Sequence, residues 1–233
     1  MKRLILILSI LIFNINYSQK IAVVSNINPI MGYTFAKTGL ISFKPQIEDD
    51  LDFNLNDYTN EIFKDKNLDV KYFEDFNWDN LGYFDDYSKS KPILDYLQSY
   101  CNKKEIDELI IFRKYNSFKL IGVLDMFFYF KHNFGILTLN SYKKRALFYF
   151  NFGVYKYSLK ENVIYLPNLK KGEYIDAYLT KKFDSEVFNQ DTKKMSNSTM
   201  IIDYYLPQFK NYIKNTLYHL LDGKKTEVYI FKK

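Results

Sequence analysis

Phe134-Gly-Ile-Leu-Thr-Leu-Asn-Ser-Tyr-Lys-Lys-Arg-Ala-Leu-Phe-Tyr-Phe-Asn-Phe-Gly-Val-Tyr-Lys-Tyr157 holds two β-rich runs around a polar break. The runs are Phe134 to Tyr142 and Ala146 to Tyr157, and the break, Asn140 to Arg145, has the composition of a hairpin turn. Side chains alternate along a strand, so Phe148, Phe150, Phe152 and Val154 are expected on one face of a single strand. This hairpin sets the middle of the fold, and Phe118 to Val123 adds a third β-rich run before it.

Outward from the hairpin, apolar runs predict strands at Ile21 to Ile27 and Leu109 to Phe112. Alternation predicts two more, at Leu68 to Phe73 and Glu227 to Phe231. Between Asn54 and Lys66, Leu55, Tyr58 and Ile62 share a helical face, with Asn54 placed to cap it. Pro92 suits a helix start, and Ile93, Leu97 and Tyr100 follow at helical spacing. Glu173 to Phe183 reads as a short helix. Thr199 to Leu221 is the clearest helix, with Ile201, Ile202, Tyr205, Phe209, Tyr212, Ile213, Leu217 and Leu220 as its apolar positions. Pro207 predicts a kink or restart in it, and Gly223 a stop. Asn28 to Asp50, with Pro29, Gly32, Gly39 and Pro45, reads as a long irregular loop, and Glu74 to Lys91 as a second. With no repeat and no linker, the expectation is a single α/β (α+β) domain over residues 19–233: a mixed sheet packed by helices, with an antiparallel hairpin region in the middle.

Residues 1–18 read as a cleavable export signal. Lys2 and Arg3 precede an apolar run from Leu4 to Phe13, and a short polar stretch ends at the small Ser18. The run is half the length of about 20 residues that a spanning helix needs. Later apolar stretches are interrupted by lysine, aspartate or asparagine, so no stable membrane span is expected. The ending Tyr17-Ser18-Gln19 resembles export signals of Bacteroidota. The expected location is therefore the periplasm or the exterior.

The chain has 33 basic and 27 acidic residues, and Lys2 and Arg3 belong to the leader. Lysine doublets such as Lys103-Lys104, Lys143-Lys144 and Lys181-Lys182 are spread over expected turns rather than gathered. Arg113 and Arg145 are the only arginines after the leader, too few for bidentate reading of bases, so no nucleic-acid partner is expected. Cys101 is the only cysteine, so no intramolecular disulfide can form and the core must supply the stability. The 22 tyrosines and 21 phenylalanines permit such a core. Cys101 ends a helical pattern and reads as a packing residue.

Catalytic motifs are missing. There is no HExxH, CxxC, GxSxG or P-loop, and two histidines with one cysteine cannot make the usual zinc shell without carboxylates. His219 reads as a packing or helix-terminus residue and His132 as part of a turn. No cofactor is expected. One constellation has metal-binding spacing. Asp75, Asn77 and Asp79 stand at positions one, three and five of a loop and Asp86 at position twelve, the pattern that wraps calcium. Against it, Asn80 takes the place of the usual glycine and the flanks are not two helices. The competing reading is a solvated acidic loop. The aromatic segment Met126 to Phe130 reads either as a groove lining or as core.

Four segments carry a family resemblance: Lys20-Ile-Ala-Val-Val-Ser25, then Asp107-Glu-Leu-Ile-Ile-Phe112 with its acidic start, then Leu120-Ile-Gly-Val123 followed by Gly135-Ile-Leu-Thr-Leu139. The element order is similar to envelope α/β domains of the penicillin-binding-protein activator, the curli secretion lipoprotein and the N-terminal domain of the Tol translocation protein. From Val24 to Phe43 the chain resembles other exported Bacteroidota proteins more than those named members. The lipid anchor of the activator and curli proteins has no counterpart, because no cysteine follows the cut. The resemblance implies a noncatalytic binding or assembly module of the cell envelope, whose partner is an envelope protein or a small ligand. The Asn28 to Asp50 segment is the expected contact surface. The alternative is a metal-dependent hydrolase using Asp75, Asn77, Asp79 and Asp86.

Overall fold

Strands apolar on both faces belong at the centre of a sheet covered on both sides, and β1 (Ile21–Ser25) and β5 (Glu108–Lys114) are such strands. In the computed structural model, which describes residues 20–38, 43–81, 90–115, 130–173, 178–223 and 226–228, they pair in parallel. Ile21 and Val23 of β1, with Ile110 and Phe112 of β5, face one core. Ala22, Val24, Leu109 and Ile111 face another.

The remaining elements are β2 (Ile30–Thr38), β3 (Phe43–Asn54), α1 (Leu55–Asp65), β4 (Val70–Phe73), α2 (Ser90–Lys104), β6 (Phe134–Leu139), β7 (Arg145–Phe150), β8 (Phe152–Ser158), β9 (Val163–Pro167), β10 (Tyr178–Lys182), α3 (Ser198–Asp222) and β11 (Thr226–Val228). A single 3-10 turn occupies Trp78–Leu81. The strands form two mixed sheets, one ordered β11-β9-β8-β5-β1-β4 and the other β10-β7-β6-β2-β3. The result is a single-domain α/β fold, built on two sheets rather than one. The main core lies between them and is closed by α1 and α3. On the far face of the first sheet, α2 contributes Ile93, Leu97, Tyr100 and Cys101 to the second core.

Phe209 of α3 is the hub of the main core. Its ring stacks on Phe134 at 5.0 Å and meets Phe148 at 5.2 Å, Phe150 at 6.2 Å and Phe152 at 6.4 Å. The helix runs unbroken through Pro207, which is exposed. It stops at Gly223, whose φ of 65° is the left-handed conformation that glycine adopts without a Cβ clash. Asn54 caps α1 as expected, its side chain accepting from the Asn56 N–H at 2.8 Å.

Several expectations change. The run from Ala146 to Tyr157 is two strands, broken at Asn151, and the halves lie in different sheets. Phe148, Phe150, Phe152 and Val154 still share one core, because the two sheets enclose it from either side. Asn151 makes the corner: its N–H donates to Asn133 O at 2.9 Å, its own carbonyl accepts from Tyr115 N–H at 2.8 Å, and its side-chain oxygen accepts from Asn133 Nδ2 at 2.9 Å. These bonds replace the ladder bonds lost where the strand leaves its sheet.

Asn28 to Asp50 is not an irregular loop. Most of it is the antiparallel pair β2–β3. Gly32 is there for space, since a Cβ on it would lie 2.1 Å from His132 Cγ. Pro45 lies on the edge strand β3 beside a shift in the pairing register, the kind of position where a sheet tolerates proline. Within the Glu173 to Phe183 segment, the described part from Tyr178 is strand β10, paired antiparallel with β7, rather than helix. Its Lys181 and Lys182 lie on a sheet edge, where charge discourages further pairing. Residues 1–18, Asp86, Phe118 to Val123 and Met126 to Tyr129 lie outside the described residues, while Phe130 is buried against Tyr149. Among the described residues, no helix is long and apolar enough to cross a membrane.

Candidate functional site

Strand alternation that builds the main core also builds a polar floor at its end. On β5, Ile110 and Phe112 pack in the core, and Glu108 is the next residue on that face. On β8, Phe152 and Val154 pack in the core, followed on the same face by Lys156 and Ser158. Lys156 stands opposite Tyr165 of β9 in the ladder. α3 covers the apolar part of this surface and ends near its polar part. There Leu221 and Gly223, with Thr226 of β11, join Asp107, Glu108, Lys156, Ser158, Lys160, Glu161 and Tyr165 around a cleft of about 480 Å³.

Lys156 Nζ donates to Glu108 Oε1 at 2.9 Å, and the two side chains are only 6% and 10% exposed. Among the described residues this is the most deeply buried Lys–carboxylate pair. The ammonium also lies 5.4 Å from the centroid of the Tyr165 ring, a favourable cation–π placement. Tyr165 donates its phenol proton to Glu161, and that bond, reinforced by burial and by the charges of Glu161 and Glu108, pushes the phenol up to about 12. It therefore stays a proton donor at physiological pH. Ser158 Oγ accepts from the Glu161 N–H at 3.4 Å, holding the β8–β9 turn. Asp107 Oδ2 accepts the Lys20 N–H at 2.9 Å, fixing the rim to the start of β1.

A buried ion pair is weak evidence for stability, because desolvating two charges offsets most of their attraction. Such a pair at the floor of an open cleft points instead to binding. Sequence reading passed over it. The signal was a charged residue breaking an apolar alternation, Glu108 before Leu-Ile-Ile-Phe and Lys156 between two tyrosines. Either residue alone reads as a strand end, and only pairing of β5 with β8 brings them together.

Of the acidic constellation, Asp75, Asn77 and Asp79 are described. Asp75 is held by Lys104 Nζ at 2.5 Å and by the Tyr100 hydroxyl at 3.0 Å. The Lys104 bond holds its carboxyl below the usual carboxylate range. Asn77 accepts the N–H of Asp79 at 3.0 Å, beginning the 3-10 turn. Asp79 is exposed, and Asp86 lies outside the described residues. Among the described residues, no group of three or more His, Cys, Asp or Glu stands close enough to hold a metal ion.

The other singled-out residues are packed. Cys101 is buried in the α2 core, and burial pushes its thiol up to about 12. His132 lies in the bend before β6 and is fully buried against Gly32, its Nε2 2.8 Å from Asp50 Oδ1. His219 is buried near the end of α3, with Nε2 3.4 Å from Glu173 Oε2. No protein-family model, curated protein or solved structure matches this chain.

Proposed function

We propose that the chain is an exported, noncatalytic binding module of the bacterial cell envelope, and that the cleft over Glu108 and Lys156 is its binding site. The buried pair at the cleft floor carries this reading. Export rests on Lys2, Arg3 and the short apolar run that follows them, and the envelope assignment rests on the resemblance of the β1 and β5 segments. The proposed contact surface moves from Asn28–Asp50 to the cleft, because that segment supplies paired strands of the second sheet.

The test compares the wild type with the double variant Glu108→Leu/Lys156→Met, which removes both charges together. Each protein is incubated with the small-molecule fraction of an envelope extract, dialysed, and analysed by mass spectrometry for retained compounds. A compound held by the wild type and lost from the folded double variant supports the cleft. Equal retention by both removes it. N-terminal mass spectrometry of the exported protein checks the leader, with a start at or beside Gln19 expected.

A further inference from the structure

The hydrogen-bonding capacity of the floor narrows the ligand class. An ammonium has three donors and a carboxylate about four acceptor sites, and the Lys156–Glu108 contact uses one of each. The remaining valences are directed by groups whose charges already compensate. A charged ligand would have to split the pair, or bury an uncompensated charge beside it, and both are costly. The rim disfavours anions further. Asp107 and Glu161 stand there with Lys160, and α3 ends at the cleft, placing the negative end of its dipole nearby. A cation finds its carboxylates already engaged: Glu108 is held by Lys156, Asp107 accepts from the Lys20 N–H, and Glu161 accepts from Tyr165. An uncharged ligand rich in hydroxyls meets neither obstacle. It can accept from Lys156 and donate to Glu108 without separating them. Ser158 lines the cleft, and the bond its oxygen accepts from the Glu161 N–H leaves the hydroxyl able to donate. Leu221 and the half-buried ring of Tyr165 add apolar surface among these polar groups, suited to the C–H face of a sugar ring.

We propose that the cleft binds a neutral saccharide, its hydroxyls on Glu108, Lys156 and Ser158 and its C–H face against Tyr165 and Leu221. This assignment rests on the binding-module reading and specifies its ligand. The test is calorimetric titration of the purified protein with glucose, galactose, mannose, N-acetylglucosamine and cellobiose, alongside glucosamine and glucuronate as charged controls. Saturable binding of at least one neutral sugar is expected, with both charged controls weaker. Ser158→Ala should weaken that binding roughly three- to tenfold, and Lys156→Met by about tenfold or more. Because Lys156→Met strands a buried carboxylate, Ser158→Ala in a protein of wild-type circular dichroism is the deciding variant. Silence from every neutral sugar, or binding indifferent to Ser158→Ala, overturns the assignment. Charged controls that bind in a Ser158-dependent way while neutral sugars do not would overturn the saccharide and leave the binding module standing.

Discussion

Lys104 and Lys156 each hold a carboxylate, in opposite settings. Lys104 reaches from the end of α2 to Asp75 at 2.5 Å, with Asp75 57% exposed, whereas Lys156 meets Glu108 at 2.9 Å with both side chains nearly sealed. Water screens the first pair and solvates either partner when the other is lost. The second pair has no such substitute. Contact distance therefore says little about what a pair does, and burial says a great deal. The acidic segment around Asp75 is conspicuous in the sequence, yet its described carboxylates are tied to the surface of α2 or exposed. The inconspicuous Glu108 and Lys156 form the charged floor of a cleft.

The contrast can be broken most sharply at Lys156. Lys156→Ala leaves Glu108 buried without its partner, and denaturant unfolding should show a loss of about 3–5 kcal/mol. A loss no larger than that of an exposed pair would mean that the two settings are alike.

Removing both charges should reverse most of that cost. Glu108→Leu/Lys156→Met is expected to range from neutral to about 1–4 kcal/mol more stable than wild type, because an apolar pair avoids desolvating two ions. The same protein should lose whatever ligand the cleft takes. Stability preserved with binding lost separates a binding role for the pair from a structural one.

A smaller effect is expected beneath the exposed pair, where α2 is seated by Ile93, Leu97 and Cys101 rather than by Lys104. Cys101→Ser places a hydroxyl in that apolar seat and should cost about 1–3 kcal/mol. In the native protein the thiol should resist a disulfide reagent until unfolding exposes it. Its folded value of about 12 lies above the ordinary 9.0, so an unfolded chain releases the proton first. Through Cys101, stability therefore falls as pH rises from about 9 toward 12. Rapid labelling of the folded protein would contradict this seat.

Asp75→Asn should be the mildest change, leaving the melting temperature within measurement scatter at neutral pH. Lys104 lowers the Asp75 carboxyl, so any contribution is present above its unfolded value and fades as pH falls through the folded one. A large melting shift at neutral pH, or a clear response of the wild-type melting temperature to added calcium, would favour the acidic segment as a site.

Local regularities were legible in the sequence. The double-sided apolar runs of β1 and β5, the hairpin between β6 and β7, the spacing of α3, its glycine stop and the Asn54 cap each depend on residues within a few positions of one another. So did the packed fate of Cys101. What misled were residues whose local meaning is overruled from afar. Gly32 looked like a loop glycine, but it is small because His132 packs on it. Pro45 looked like a loop proline, but it lies on a sheet edge at a register shift.

The candidate site belongs wholly to this second class. The sequence by itself determined that Lys156 lies in a β-rich run, on the face that alternation gives to Phe152 and Val154, and that Glu108 comes just before an apolar strand at Leu109 to Phe112. Only the tertiary structure decided that those strands are neighbours, that α3 ends beside that end of the sheet, and that the two charges meet nearly buried at the floor of a cleft. It also decided that the chain changes sheets at Asn151, through bonds to Asn133 and Tyr115 that no local pattern encodes. The physical reason is range. Propensity, capping and periodicity act over a turn or a strand, whereas burial and the pairing of charges depend on which distant segments the core brings together.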